Sequence, residues 1–147
     1  MPNYLPESLP SPHPSHDDLP FWDYCRKHEL RIQQCAVCDA FRHPPVPVCA
    51  HCGKFSWKWT QVSGRGTVFS YTIAHHAVHP ALKEVLPYNI AVVLLEGAGT
   101  VRLVSNVIDA APYEMHVDLT VELVWEDLAD GMTLPRFRKR KELVNER

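Results

Sequence analysis

Two Cys-x-x-Cys knuckles constrain this chain more than any other feature. Cys35 and Cys38 form the first; Cys49 and Cys52 form the second, after a connector of ten residues. Each two-residue spacer can place both sulfurs on one ion, and four thiolates suit tetrahedral zinc with Zn–S near ~2.3 Å. Gly53 after the second knuckle permits a tight turn, and Pro44, Pro45 and Pro47 stiffen the connector. A module of about thirty residues has too little core to fold by burial alone. Zinc binding, with an apparent free energy of ~10–16 kcal/mol, supplies what burial cannot. Four cysteines leave no open coordination position, so the metal reads as one structural Zn2+. Two disulfides or iron are the alternatives. His51 reads as a solvated spacer and Cys25 as a small buried hydrophobe.

Residues 1–16 form a proline-rich arm, expected to be extended and disordered, since six of the first twenty residues are proline. This start has neither the basic nor the apolar stretch of a secretory signal. A cytoplasmic location is expected, where cysteine pairs favour metal over disulfides. The longest apolar run, Ile90 to Leu95, is six residues, against ~20 needed to span a bilayer as a helix. Asp17 and Asp18 can cap a helix with Pro20 in its first turn. Phe21, Tyr24, Cys25 and His28 then share one face, suited to packing on the rest of the chain. An exposed Phe21–Trp22 pair docking on a partner is the sharper alternative.

Beyond Trp59 the pattern changes to period two. Five strands are expected, around Thr67–Ile73, Ile90–Leu95, Thr100–Ile108, Leu119–Trp125 and Met132–Arg138. Gly97-Ala98-Gly99 and Asp130-Gly131 supply turns. Five strands in about seventy residues fit a small closed barrel, and the OB-fold is the common barrel of that size.

Catalytic machinery is not legible. His75, His76 and His79 cluster at a strand end, but no carboxylate beside them would orient an imidazole. They read as loop or packing histidines. No serine sits in a nucleophile elbow, and there is no glycine-rich phosphate loop. The one basic run, Arg136 to Lys141, is either a solvated terminus or a phosphate patch. Lys plus Arg number 15 and Asp plus Glu 17, a net charge of −2, which counts against a nucleic-acid partner.

The order of these parts carries a resemblance. Leu19-Pro20-Phe21-Trp22 leads to Leu30-Arg31-Ile32-Gln33-Gln34-Cys35, then to Pro44-Pro45-Val46-Pro47-Val48-Cys49 and Ser63-Gly64-Arg65-Gly66-Thr67-Val68. Pro87-Tyr88, Ser105-Asn106-Val107-Ile108-Asp109 and Leu134-Pro135-Arg136-Phe137 follow. Over about residues 17–139 the chain resembles the zinc-ribbon/OB-fold proteins, once known only as a domain of unknown function, that associate with thiolase-superfamily enzymes. The resemblance implies a mainly β chain: a helix over 17–29, a rubredoxin-like zinc ribbon over 30–60, a five-stranded OB-fold over 61–139 and a charged tail over 140–147. The short connection from Ala110 to Asp118 departs from a full OB-fold, which has a helix there.

The resemblance further implies an acyl-CoA-handling accessory subunit. It would pair with a thiolase, a thiolase-like aldolase of steroid breakdown or an acyltransferase, and the partner would supply the catalytic groups. Arg65, Tyr88, Asn106 and Arg136 fall in the family's motifs and are candidate CoA contacts. Arg138 and Lys139 join them on charge alone. Two other functions compete. A single-stranded nucleic-acid binder would stack bases on Phe69, Tyr71 and Trp125. A stand-alone acyl-CoA hydrolase would need a nucleophile or base that the residues do not offer.

Overall fold

The computed structural model describes residues 3–141. Its elements are α1 (Leu19–Arg26), β1 (Arg31–Cys35), β2 (Phe41–Arg42), β3 (Trp57–Gln61), β4 (Arg65–Ala74), β5 (Tyr88–Leu95), β6 (Arg102–Ser105), β7 (Thr120–Asp127) and β8 (Thr133–Lys139). Short 3-10 turns occupy Pro80–Val85 and Pro112–Glu114. The second of these fills the connection predicted to be too short for a full helix. Among the described residues no helix is long and apolar enough to cross a membrane.

Two antiparallel sheets result. The ribbon sheet has the order β2-β1-β3, and the larger sheet has the order β6-β5-β4-β7-β8. All five expected strands of the larger sheet form, and it curls into the OB half-barrel. Its two ends meet where Phe137 of β8 bridges Val107 in parallel. There the Ile108 N–H donates to the Phe137 carbonyl at 2.8 Å, and the Phe137 N–H donates to the Asn106 carbonyl at 3.0 Å.

Curling requires local irregularity. A register shift between Val68 and Ser70 marks a bulge in β4, which bends the strand and increases its twist. Gly66 permits close approach of the neighbouring strand, because a Cβ there would fall on the Leu94 carbonyl oxygen. The run Ile90 to Leu95 alternates in burial along β5, with Asn89, Ala91, Val93 and Leu95 inward.

The helix and ribbon do not stand apart from the barrel. Phe21 and Cys25 of α1 and Leu30 and Ile32 of the ribbon belong to one core cluster with Val68, Val93, Val121 and Phe137 of the barrel. The helix thus packs by the face predicted for it, although His28 is exposed and bonds Asp127 at 2.9 Å. Asp18 occupies the N-cap position without capping the backbone. Its carboxylate instead accepts from Ser15 and from the Trp22 indole. That indole contact and an edge-on contact with Phe21, ring centroids 5.1 Å apart, hold Trp22 half-buried.

The proline-rich arm has neither helix nor strand over residues 3–16, as its prolines require, but it lies along the barrel. The Tyr4 N–H donates to Glu126 at 2.8 Å, the Tyr4 hydroxyl accepts the Asn89 N–H at 3.1 Å, and Ser11 bonds Asp130. Composition predicts a free arm because these anchors depend on partners about a hundred residues away. Of the charged tail, residues 142–147 lie outside the described residues.

Candidate metal centre and polar ring

Strand β1 ends at Cys35, where the first knuckle begins, and Gly53, with φ +74°, turns the chain after the second knuckle. The four cysteine sulfurs lie within 4.8 Å of one another. Cys35 and Cys52 are 3.6 Å apart, as are Cys38 and Cys49. A tetrahedron with Zn–S of ~2.3 Å has edges near ~3.8 Å, so the sulfurs are spaced for zinc and too far apart for disulfides. The N–H groups of Cys38 and Val37 point at the Cys35 sulfur at 3.5 and 3.4 Å and hold its thiol down at about 6. The Cys52 and His51 N–H groups act likewise on Cys49 and lower it. Backbone donors thus favour the thiolates of Cys35 and Cys49, while Cys38, although the Ala40 backbone acts to lower it, is raised on balance by the neighbouring Cys49, Cys52 and Cys35 thiols. The chain carries a structural zinc, and these four cysteines close its shell.

The ribbon has a second fastening that the sequence alone did not reveal. The Gln33 side chain is buried, and its Oε1 accepts from Arg42 Nε at 2.8 Å and from the Val46 N–H at 2.9 Å. One amide therefore pins the proline-stiffened connector to β1. Its only signal in the sequence was a polar residue at an inward position of a strand.

At the closed end of the barrel, polar side chains form a ring. Asn89 Nδ2 donates to the Val107 carbonyl at 2.9 Å, and its Oδ1 accepts the Val107 N–H at 2.8 Å. Asn106 donates to the Asn89 carbonyl and accepts from Arg136, both at 2.5 Å. Arg136 also reaches Glu126 at 3.2 Å, and Glu126 accepts the Tyr4 N–H, which returns the ring to Asn89 through the Tyr4 hydroxyl. Burial raises the pKa of that hydroxyl, which keeps it neutral. Of the ring, the sequence singled out Asn106 and Arg136, as candidate CoA contacts and not as a closure of the barrel, and gave no sign of Asn89, Glu126 and Tyr4.

The six candidate CoA residues fall into separate groups. Asn106 and Arg136 are in the ring, and Tyr88 adjoins it through Asn89. Arg65 lies at the opposite end of the β4–β5 ladder, in a cross-strand row with Glu122 and Arg138. Arg138 pairs with Glu122 at 2.8 Å, Lys139 pairs with Glu114, and Arg140 stands 3.7 Å from Glu96. The basic run therefore lies in β8 as far as Lys139, and Arg136, Arg138, Lys139 and Arg140 each face a carboxylate. The Lys139 contact lowers the Glu114 pKa and raises that of Lys139.

The remaining candidates have local roles. His79 caps the 3-10 turn at Pro80–Val85, its Nδ1 accepting the Ala81 N–H at 3.1 Å, while His75 and His76 are exposed. Cys25 is fully buried, and burial pushes its thiol up to about 12. Of the three aromatics suited to base stacking, Phe69 and Tyr71 are exposed, the Arg102 guanidinium lying 4.3 Å from the Phe69 centroid, and Trp125 stacks on His28 at 5.5 Å.

His43 sits between helix and ribbon, its ring centroid 5.0 Å from that of Phe21, with Nδ1 buried and unpartnered. Burial lowers its pKa from the usual histidine value. The folded chain therefore holds His43 neutral where the unfolded chain, with a pKa near ~6.5, begins to take up a proton. Its contribution to stability is full above that value and is lost as pH falls toward the lower folded pKa. Denaturant titrations at descending pH should show His43→Asn losing less stability than wild type over this window. Parallel curves would contradict the assignment.

Comparison with known proteins agrees with both halves of this architecture. Residues 22–57 match the family model "ChsH2, rubredoxin-like zinc ribbon domain", and residues 59–126 match "ChsH2, C-terminal OB-fold domain". A probable enoyl-CoA hydratase alpha subunit of Thermomonospora curvata is 40% identical over 135 residues, covering 90% of this chain and 41% of the relative. The 3-oxo-4,17-pregnadiene-20-carboxyl-CoA hydratase alpha subunit of Mycobacterium tuberculosis is 34% identical over 125 residues, covering 85% and 39%. The chain thus spans about two fifths of the length of these curated relatives. A solved chain described as "Ltp2-ChsH2(DUF35) aldolase" superposes with a TM-score of 0.79 at 38% identity, covering 88% of this chain and 98% of that one.

Proposed function

The chain belongs to the ChsH2 zinc-ribbon/OB-fold (DUF35) family, and on that premise we propose that it is a non-catalytic subunit. It binds a thiolase-superfamily enzyme (a thiolase, thiolase-like aldolase or acyltransferase) and helps to form that enzyme's CoA-ester site. The observation that carries this reading is the match, at 38% identity and over 98% of its length, to a ChsH2 chain of an Ltp2–ChsH2 aldolase. The chemistry of the chain supports it. Four cysteines bind zinc, and the fifth is buried with its thiol near 12. His79 is used as a cap. Such groups hold a fold together and do not activate a nucleophile.

The CoA contacts belong to this proposal. Arg65, Arg138 and Lys139 are the residues for its phosphates, and Tyr88 lines the approach beside the ring. Because Arg138 and Lys139 already pair with Glu122 and Glu114, phosphate must compete with carboxylate. CoA should therefore bind weakly to the isolated chain and more tightly once the partner supplies the rest of the site. A hydratase partner is the second reading, favoured by the two curated relatives that are named hydratase alpha subunits.

Co-expression with a thiolase-fold enzyme, and separately with a hydratase subunit, distinguishes the readings. The expected result is a stable hetero-oligomer with the thiolase-fold enzyme by size exclusion, and lyase or acyl-transfer turnover that neither chain shows alone. Acyl-CoA hydrolysis by the isolated chain, abolished by substituting His75, His76 or His79, would replace the accessory reading with that of an enzyme. Tight oligonucleotide binding that weakens steeply with salt, without CoA binding in any combination, would favour a strand-binding groove.

A further inference from the structure

The OB sheet is closed at one end and open at the other. Strands β6 and β8 are its two edges. They meet where Val107 bridges Phe137 and where the Ser105 hydroxyl donates to the Pro135 carbonyl at 2.6 Å. Beside these contacts lies a groove of about 450 Å³ between the two strands. Its lining includes Arg102 and Val104 of β6, Leu134 and Pro135 of β8, Trp22 of α1 and Pro44 of the ribbon connector.

Register decides where the backbone groups of β6 point. The Leu95 N–H donates to the Val101 carbonyl at 3.1 Å, and further along the ladder Val93 pairs with Leu103 and Ala91 with Ser105. Hydrogen-bonded pairs alternate along an antiparallel ladder, so Val101, Leu103 and Ser105 turn their N–H and C=O groups toward β5. Those of Arg102 and Val104 turn the other way, as does the Asn106 carbonyl, which accepts from Phe137 of β8. Across the groove Pro135 has no N–H to offer, and its carbonyl already serves Ser105. Among the described residues the Arg102 and Val104 backbone groups therefore have no partner. They are also within reach, since Arg102 is exposed and Val104 is 67% exposed. An edge with a free row of such groups is a template for another chain.

The spacing of these groups selects what pairs with them. An N–H and a C=O recur on residues two apart, at twice the ~3.4 Å rise of a strand. An extended peptide has the same repeat and can take all four bonds through two of its residues. Pantetheine has one N–H and C=O pair of this kind, spread by an extra methylene, and so cannot match both. Side chains alternate across a strand. In an added antiparallel strand, the residues opposite Arg102 and Val104 face outward with them, and the residue opposite Leu103 faces into the groove. The Arg102 guanidinium lies over Phe69 and makes no ion pair among the described residues, so a carboxylate suits the position opposite it. An apolar side chain suits the groove beside Trp22 and Leu134, and a β-branched one suits the position opposite Val104.

We infer that the free edge of β6 takes an extended peptide segment of a partner protein, added antiparallel as an extra strand in the groove between β6 and β8. This is strand addition, with main-chain bonds for affinity and one side-chain pocket for selectivity. The edge belongs to the single chain, so peptide binding does not depend on the accessory reading.

The test titrates the isotope-labelled full chain with the peptide acetyl-Thr-Val-Leu-Glu-Thr-amide, followed by amide chemical shifts. The Arg102 and Val104 amides should shift saturably and exchange more slowly. Two methylated copies of the peptide separate pairing from simple apolar contact. N-methylation at its valine removes a donor aimed at β6 and should weaken binding at least about tenfold, a difference of ~1.4 kcal/mol. N-methylation at its leucine, whose N–H faces away from β6, should leave binding as it is. Val104→Pro removes a donor that faces the groove but no bond to β5, a change that edge strands accommodate, and should weaken the parent peptide similarly. The absence of saturable shifts at Arg102 and Val104 would overturn the inference. Equal affinity for the two methylated peptides, or tighter binding of pantetheine at the same amides, would overturn it as well.

Discussion

Cys49→Ser is expected to strip the protein of zinc and to unfold the ribbon around it. A serine hydroxyl is a poor replacement for thiolate, and three remaining sulfurs leave the tetrahedral shell open. The module has little core of its own, since its sheet is three short strands and its inward residues Leu30 and Ile32 pack into the barrel's core. Metal contributes an apparent ~10–16 kcal/mol in modules of this kind, more than the ~5–15 kcal/mol net stability of a typical domain. Metal analysis should find one zinc per wild-type chain and almost none in the variant. Amide exchange should accelerate throughout β1, β2 and β3 while β5 and β7 keep part of their protection. A chelator strong enough to remove the ion should reproduce this in the wild type. Wild-type protein without zinc, or a variant with an unchanged exchange pattern, would refute the assignment.

Arg136→Met should destabilise the barrel by ~3–5 kcal/mol, the usual consequence of leaving one member of a buried ion pair alone. Both side chains of the pair are almost covered, Arg136 being 11% and Glu126 12% exposed. Removing Arg136 strands the Glu126 carboxylate and deprives Asn106 of the donor to its Oδ1. The double variant Arg136→Met, Glu126→Leu should recover much of the loss, because apolar groups of similar volume carry no desolvation penalty. Chemical denaturation of the two single variants and the double variant forms the cycle that measures the coupling. Additive effects would show that the pair contributes little. The same cycle tests whether Arg136 is primarily a closing element of the barrel or available for ligand phosphates, since the latter role predicts little change in stability.

The sequence alone determined the zinc ribbon, the strands and the family. Metal ligation depends on short spacings, Cys35 to Cys38 and Cys49 to Cys52, that local chain geometry can satisfy. Strand periodicity depends on neighbours two residues apart, so β4 and β7 were legible from alternation, while β5 was legible as a short apolar run and β8 from the Asp130-Gly131 turn before it. The turns at Gly97 to Gly99 and at Asp130-Gly131 were legible because positive φ favours glycine; all three glycines have it. The helix was legible by its buried face, though not by its cap, because the Asp18 carboxylate found partners in Ser15 and Trp22.

What the tertiary structure decided concerns residues far apart in the chain. Asn89, Asn106, Glu126 and Arg136 lie on or beside different strands, and only barrel closure brings them into one ring with Tyr4. The basic run was read as a solvated terminus or a phosphate patch, but in β8 Arg136 and Arg138 share one face and pair with Glu126 and Glu122, while Lys139 points to the other and pairs with Glu114. The arm illustrates the same limit. Its prolines excluded regular structure locally, while the anchors that hold it, Asn89, Glu126 and Asp130, lie 85 to 122 residues away. Hydrogen bonds of that reach leave no periodic signal in a sequence, because each depends on a register that exists only once the sheet has curled.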